Sequence, residues 1–201
     1  MRGIVVAFPR SFANLYRLFW NQSLDRLTSY LPIMQTETEM HDLKIDAPPG
    51  KPFLTMTRTF NAPRALVWKA LSEPEHAVRW WGPHRHTNRV LEWDWNVGGK
   101  WKIETTTAEG QVIVFFGEYR EITKPSTVTQ TFAFDQLPPG VHSVDTVELV
   151  EKDGRTIYHA TSVLPDIAMR DGMIASGMDT GVREGFERLD AILEEFKARA
   201  A

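Results

Sequence analysis

Residues 60–68 read FNAPRALVW, and this stretch marks the passage from a strand into a helix. Asn61 has the side chain of a helix cap, and Pro63 suits a first helical turn because an N–H there would need no partner. The apolar residues that follow continue a helical pattern. We therefore expect a strand that ends at Phe60 and a capped helix over residues 63–71.

Two further signals follow in order along the chain. Residues 80–83 read WWGP, with paired tryptophans before a Gly-Pro turn. Such a pair places a large, rigid apolar surface at a chain reversal, where it can cover a core or roof a cavity. Residues 94–101 read DWNVGGKW, and the two adjacent glycines are typical of a hairpin.

Apolar and polar residues alternate over most of the middle of the chain, which is the period of half-buried strands. In this pattern Leu91, Trp93 and Trp95 share one face. Short separators rich in Gly, Pro and charged residues divide the strands, so we expect antiparallel neighbours rather than a parallel sheet. The predicted strands are residues 53–60, 91–96, 101–105, 111–122, 127–135, 145–151 and 156–164.

Helical periodicity appears in two more places. Residues 74–81 predict a second short helix, and residues 166–200 predict one long amphipathic helix. The apolar stripe of the long helix is Met178, Val182, Phe186, Leu189, Leu193 and Phe196. An antiparallel sheet followed by one such helix can bury both apolar faces if the sheet curls around the helix. The sequence therefore predicts an α+β domain.

Taken in order, these motifs resemble the START-like (SRPBCC) superfamily, and within it the branch named for the C-terminal domain of the Hsp90 ATPase activator. The helix opening A-P-x-x-x-V-W of that branch has its counterpart at residues 62–68. The other matching motifs are WWGP at 80–83, the acidic-x-x-x-Gly-Gly-x-Trp hairpin at 94–101, a glycine–aromatic strand at 117–122 and the closing helix at 170–178. One departure is Asn96-Val97, where the family usually has an arginine and then a proline.

The resemblance covers about residues 53–198 and implies a helix-grip fold. In that fold a curved antiparallel sheet of about six to seven strands wraps around a long C-terminal helix, and two short helices follow the first strand. The periodicity of this chain agrees with that arrangement.

Composition excludes several classes of function. A formal charge of −3 gives no basic field for a phosphate backbone, so we expect no nucleic-acid partner. The chain has no cysteine, which excludes disulfides, thiol nucleophiles and thiolate metal sites and fits a cytoplasmic location. No apolar stretch approaches the roughly 20 residues that span a bilayer, so we expect no integral membrane association.

The chain is expected to divide into an N-terminal extension, residues 1–50, and a START-like domain, residues 51–201. Residues 47–50 read APPG and predict a linker, because this sequence can continue neither a helix nor a strand.

Residues 11–31 within the extension predict an amphipathic helix that is poor in acidic residues. Three interpretations stay open. The segment could be upstream sequence before a true start at Met34 or Met40, a helix packed on the domain, or a targeting segment.

Small and flexible residues on the last elements suggest unfilled volume. Gly177, Gly181 and Gly185 recur every four residues on the long helix, although each glycine costs about 1 kcal/mol relative to alanine. Either a loop or partner approaches closely there, or space is left for a ligand. A homodimer is also left open by the sequence.

A curved sheet lined by aromatic side chains under such a helix would enclose a largely apolar pocket. The alternative is a fully packed core, and the resemblance favours the cavity. The candidate ligand-binding residues are Trp80, Trp81, Trp95, Trp101, Tyr119, Phe132, Ala160, Met173, Gly177, Met178 and Gly181.

The sequence offers little for metal or acid–base chemistry. His84 and His86 have a metal-like spacing but no identifiable third ligand, so we expect exposed loop histidines, no metal and no cofactor. Residues 145–148 read DTVE, with carboxylates on alternate faces, which indicates a solvated strand rather than an acid–base pair. Tyr119 is the single polar group expected in the cavity, and no catalytic residue is assigned.

Three hypotheses for function follow. The first is a non-catalytic protein that binds a small hydrophobic or aromatic molecule. The second is an enzyme of the polyketide cyclase type, which would need a buried tyrosine, arginine or carboxylate with a shifted pKa in the cavity. The third is a chaperone-regulating interaction domain, which rests on the name of the family alone.

Overall fold

A computed structural model describes residues 43–200 of the chain. The amphipathic helix predicted for residues 11–31 lies outside the described residues. Within the described range, eight strands and four helices form an α+β helix-grip fold.

The strands form one curved antiparallel sheet in the order β1-β2-β8-β7-β6-β5-β4-β3. Their bounds are β1 Lys44–Asp46, β2 Phe53–Phe60, β3 Thr87–Trp93, β4 Lys100–Thr106, β5 Val112–Thr123, β6 Thr127–Phe134, β7 Ser143–Lys152 and β8 Arg155–Val163. This is one strand more than the sequence predicted. The additional strand is β1, which pairs with β2 from Lys44↔Thr57 to Asp46↔Thr55 and is too short to show a period of its own.

Two short helices follow β2, as the sequence predicted. They are α1 Arg64–Ser72 and α2 Pro74–Trp80. The expected cap was wrong, because Pro63 rather than Asn61 occupies the N-cap position of α1. Pro63 takes an extended ψ of 148°, which a proline adopts readily before a helix begins.

The C-terminal helix is interrupted, which corrects the prediction of one continuous helix. It consists of α3 Ile167–Ala175 and α4 Met178–Ala200. Gly177 lies between them with a φ of +79°, a left-handed conformation that glycine adopts without steric cost. The Ser176 hydroxyl donates to the Met173 carbonyl oxygen and so closes the end of α3.

The long helix α4 packs into the concave face of the sheet. Its predicted apolar stripe is largely buried, with Phe186 at 4% and Leu189 at 0% exposure. Arg58 on β2 donates a charge-assisted hydrogen bond to Asp190 on α4 and lies over the Phe186 ring, 5.4 Å from its centroid. These contacts attach α4 to strand β2 of the sheet.

The face assignment at the start of the hairpin was wrong for one residue. Leu91 is 43% exposed, whereas Val90 packs against the core. The register between β3 and β4 shifts between Val90 and Glu92, which indicates a β-bulge. A bulge adds one residue to the strand and reverses the alternation at that point.

Candidate functional site

A cavity of about 190 Å³ lies between the concave face of the sheet and helices α3 and α4. Its lining is mostly apolar and rich in aromatic rings. The lining residues are Met56, Leu71, Trp80, Trp81, Gly82, Trp93, Trp95, Trp101, Phe115, Tyr119, Val128, Gln130, Phe132, Asp145, Val147, Tyr158, Ala160, Ser162, Met173, Met178, Gly181, Val182, Gly185 and Phe186.

Trp81 lies at the centre of one aromatic group in this lining. Its ring centroid is 5.6 Å from that of Trp101 and 5.8 Å from that of Phe115. It also stacks on Phe132 at 6.2 Å with an interplanar angle of 29°. Offset and edge contacts of this kind are favourable between aromatic rings, so they hold the ring in place.

The backbone around Trp81 is held against α4. A Cβ atom on Gly185 would lie 2.8 Å from the Trp80 carbonyl oxygen, so only a residue without a side chain permits this approach. The Arg188 guanidinium, one turn further along α4, donates to the Pro83 carbonyl oxygen at 3.2 Å. Of the two interpretations that the sequence left open for the helix glycines, close approach of a loop therefore applies at Gly185, which also lines the cavity.

A second aromatic group forms the end of the cavity near the hairpin. Trp93 stacks on Trp95 with an interplanar angle of 21°, and the Trp95 ring lies 4.5 Å from that of Tyr119. The Trp93 indole N–H donates to the Ser72 carbonyl oxygen at 2.8 Å, which ties this group to α1.

Polar side chains cross the concave face in a single row, which we call the polar row. Its members are register partners on four neighbouring strands: Tyr119 pairs with Gln130, Gln130 with Asp145, and Asp145 with Ser162. All of them line the cavity. Ser143 adds a hydrogen bond from its hydroxyl to an Asp145 carboxylate oxygen at 2.9 Å.

Asp145 corrects the prediction of a solvated strand at residues 145–148. Its carboxyl group lies in the cavity wall. The alternation of side chains along the strand was the available signal. Asp145 lies on the same face as Val147 and Leu149, both of which pack in the interior. Glu148, on the opposite face, is exposed as expected.

Burial raises the pKa of the titratable groups in the polar row and of Tyr158 beside it. Burial in the apolar surroundings raises the pKa of Asp145 from 3.8 to about 6, although hydrogen bonds from Ser143 and Ser162 oppose the rise. Burial also raises the pKa of Tyr119 above its ordinary value. The pKa of Tyr158 is raised by burial and by the negative charge of Asp145.

The structure places all but one of the candidate ligand-binding residues along the cavity. The exception is Gly177, which forms the break between α3 and α4 and is not among the lining residues. Its glycine is explained by the backbone conformation rather than by space for a ligand. Whether the other residues contact a ligand stays a prediction.

The two loop histidines differ in environment. His84 is exposed, and its Nε2 lies 3.2 Å from a Glu187 carboxylate oxygen. His86 was expected to be exposed but is only 3% accessible, because it packs in the turn after Trp81-Gly82-Pro83. Burial, with a contribution from Arg85, lowers its pKa from 6.5 to about 4, so the ring is neutral at neutral pH.

One cluster of residues whose side chains can ligate metal ions was not expected from the sequence. Glu73, Glu75 and His76 place their ligand atoms within 4.8 Å of one another. His76 Nε2 lies 3.2 Å from a Glu73 carboxylate oxygen, and a local contact between side chains three residues apart at the start of a helix explains this distance. The absence of a metal requirement stays a prediction.

Comparison with known proteins identifies the fold and a family. Residues 61–194 match the family described as Activator of Hsp90 ATPase homolog 1-like protein. Among proteins with curated descriptions, none matches this chain.

Solved structures with the same fold come from several bacteria. A protein from Arthrobacter aurescens is 25% identical, with a TM-score of 0.70 over 76% of this chain and 91% of its own. A protein from Rhodobacter sphaeroides is 23% identical, with a TM-score of 0.69 over 75% of this chain and 98% of its own. Protein Ms6760 from Mycobacterium smegmatis is 22% identical, with a TM-score of 0.67 over 76% and 95% of the two chains.

Among the helices described between residues 43 and 200, none is long and apolar enough to cross a membrane.

Proposed function

The chain belongs to the family of activator of Hsp90 ATPase homolog 1-like proteins, and from that premise we propose that it binds a small hydrophobic or aromatic molecule between the sheet and α4. The observation that supports this most strongly is the cavity of about 190 Å³ with its aromatic lining. Protein interiors are otherwise close-packed, with few voids larger than a water molecule. An apolar cavity of about 150 Å³ can hold benzene, so one ring with a short substituent is a suitable size of ligand.

The chemistry of the lining fits a ligand of this class. Flat aromatic surfaces from Trp81, Phe132 and Tyr119 can contact a ring on several sides. Met173 and Met178 lie across the cavity on the helical side, and methionine side chains adapt to ligands of different shape. The polar row then offers a small number of groups that can orient the ligand.

Tryptophan fluorescence tests this proposal directly, because several cavity residues are tryptophans. Titration with 2-phenylethanol should change the emission in a saturable way. The variant Gly181→Leu places a side chain at the cavity lining and should weaken binding strongly. The intrinsic stability of helix α4 should not fall in this variant, since leucine is a better helix former than glycine.

Gly172→Leu is the matched control. A Cβ at Gly172 would have no atom within 4 Å, and this residue is not among those that line the cavity. Binding should be unchanged in the control. Equal binding by both variants and the natural chain would contradict the proposed site. No binding of any aromatic probe, together with stimulation of the ATPase rate of an Hsp90 chaperone, would support the role after which the family is named.

A second candidate function, an enzyme of the polyketide cyclase type, is favoured by one observation. Asp145 and Tyr158 both line the cavity, and burial, with a contribution from the charge of Asp145, raises the pKa of Tyr158. A carboxylate with a raised pKa can remove a proton next to a carbonyl group, while a neutral tyrosine donates a hydrogen bond to the enolate oxygen.

Proton exchange separates this function from simple binding. In heavy water, 1-phenylpropan-2-one would lose a proton from its α-carbon to Asp145 and regain a deuteron from the same carboxyl group after solvent exchange. The exchange is followed by NMR. Catalysed exchange that disappears in Asp145→Asn would favour the enzyme, whereas binding without exchange would favour the non-catalytic role.

A further inference from the structure

Asp145 is a charged group in an apolar cavity, and its hydrogen-bond partners are neutral. The Ser143 and Ser162 hydroxyl groups donate to its carboxylate, and Gln130 is its register partner on β6. Among the described residues that line the cavity, none is a lysine, arginine or histidine. The negative charge of Asp145 is therefore without a cationic partner in the lining.

The two arginines that are buried among the described residues have carboxylate partners other than Asp145. Arg58 pairs with Asp190. Arg170 pairs with Asp171 at 2.7 Å and donates to the Pro48 carbonyl oxygen at 2.8 Å. Neither arginine lines the cavity that contains the Asp145 carboxylate.

Two properties of the cavity favour a positive charge. Buried carboxylates in proteins are normally paired, because an isolated charge in apolar surroundings is unfavourable. Aromatic faces attract cations through the quadrupole of the ring, most strongly when water is excluded. Phe132, two residues from Gln130 on β6, places such a ring beside the position of Asp145 and stacks with Trp81.

We propose that the ligand of this cavity is an aromatic amine, whose ammonium group binds the Asp145 carboxylate while its ring packs against Trp81 and Phe132. This inference rests on the proposed function, because it names the class of molecule that the same cavity binds. The amine supplies the missing counter-charge, and the polar row sets the depth at which its nitrogen lies. Neutral aromatic molecules would enter the same cavity but bind less tightly, and aromatic carboxylates would be repelled.

Three probes of similar size and different charge test the inference. They are 2-phenylethylamine, 2-phenylethanol and 3-phenylpropanoate, titrated by tryptophan fluorescence and by calorimetry. We expect the amine to bind at least about tenfold more tightly than the alcohol, because a charged hydrogen bond is stronger than a neutral one. The carboxylate should bind more weakly than the alcohol.

Asp145→Asn keeps the size of the side chain and removes its charge. In this variant the preference for the amine should disappear, whereas the alcohol should bind about as well as before. Glu148→Gln is the matched control, since Glu148 lies on the same strand and is exposed on the outer face. Circular dichroism verifies that each variant is folded.

The outcomes separate this inference from the proposed function. If amine and alcohol bind equally, or if Asp145→Asn keeps the preference, the inference is wrong and the cavity remains a site for neutral aromatic molecules. If no probe binds the natural chain, the proposed function itself is wrong.

Discussion

Asp145 and Ser162 face each other across strands β7 and β8, and the Ser162 hydroxyl hydrogen-bonds to the Asp145 carboxylate inside the cavity. This contact stabilises the charged form only in part, because burial still raises the pKa of Asp145 to about 6. An ionised carboxylate in this position therefore weakens the fold, and its proposed role is to bind a polar group of the ligand. Functional sites commonly carry such a cost in stability.

The first prediction is that Asp145→Asn stabilises the protein at neutral pH. The folded-state pKa of about 6 lies above the ordinary value of 3.8, so the carboxylate increasingly destabilises the fold as the pH rises from about 4 to 6, and the full cost is present above that. A shift of one unit corresponds to about 1.4 kcal/mol, so the rise of about two units makes the expected gain on the order of 3 kcal/mol. Urea denaturation at about pH 7.5 measures it.

The same comparison at low pH provides its control. As the pH falls below about 4, the carboxyl group is protonated in both folded and unfolded chains and the advantage of asparagine should vanish. The buried ring of His86 acts in the opposite direction, because its lowered pKa of about 4 makes acid destabilise the fold. His86 is present in both proteins, so it cancels in the difference. A difference that does not change with pH would contradict this explanation.

The second prediction concerns the pH dependence of amine binding. Affinity for 2-phenylethylamine should be constant between about pH 7 and 9, where Asp145 is ionised and the amine is protonated. It should fall as the pH drops through about 6, because protonation of Asp145 removes the counter-charge. Among the described residues that line the cavity, the other titratable side chains are Tyr119 and Tyr158, and both remain neutral because burial raises the pKa of each. Calorimetry over this range measures the effect. Affinity for 2-phenylethanol should not follow the same curve.

The third prediction concerns the approach of the tryptophan turn to α4. In Gly185→Ala the added Cβ would lie 2.8 Å from the Trp80 carbonyl oxygen, so the backbone must move. Overpacking typically costs 1–3 kcal/mol and outweighs the roughly 1 kcal/mol that alanine gains in a helix. Thermal unfolding should show a lower midpoint. Gly172→Ala, where the space is open, should show a slightly higher one, and a rise in both variants would contradict the close approach.

The fourth prediction concerns where the domain begins. The boundary at residue 50 stays a prediction, and β1, which pairs with β2 in the sheet, lies before it. A shortened chain that starts at Met40 should unfold cooperatively with the midpoint of the full chain. A chain that starts at Lys51 lacks β1 and the buried side chain of Leu43. Burial of one leucine contributes about 1.5–3 kcal/mol, so this chain should unfold at a lower temperature. A lower midpoint for the Met40 chain as well would show that the preceding residues stabilise the domain.

The sequence was most informative where one period ran through a whole element. β2 has the predicted bounds of Phe53 and Phe60, and the apolar stripe of α4 faces the sheet as expected. In both cases hydrophobic burial and local propensity favour the same structure, so a single sequence is sufficient. The short separators between strands also predicted antiparallel neighbours correctly, because a short turn can join only strands that run in opposite directions.

The errors arose where a single residue changed the local geometry. The bulge between Val90 and Glu92 moved Leu91 to the exposed face, and Gly177 divided a continuous helical pattern into two helices. Asp145 was misjudged because a carboxylate usually indicates solvent, although its parity with Val147 placed it on the buried face. The bulge and the helix break depend on tertiary contacts that local periodicity does not contain, whereas the strand alternation did contain the face of Asp145.

The most direct measurement of the central claim is a crystal structure of the protein with 4-bromotoluene, in which anomalous scattering locates the bromine atom. This neutral ring tests the cavity without relying on Asp145. We expect a bromine peak between the sheet and α4, close to Trp81, Phe132 and Met178, which line the same cavity. A bromine peak confined to the outer surface, with the cavity closed by its own side chains, would contradict the account.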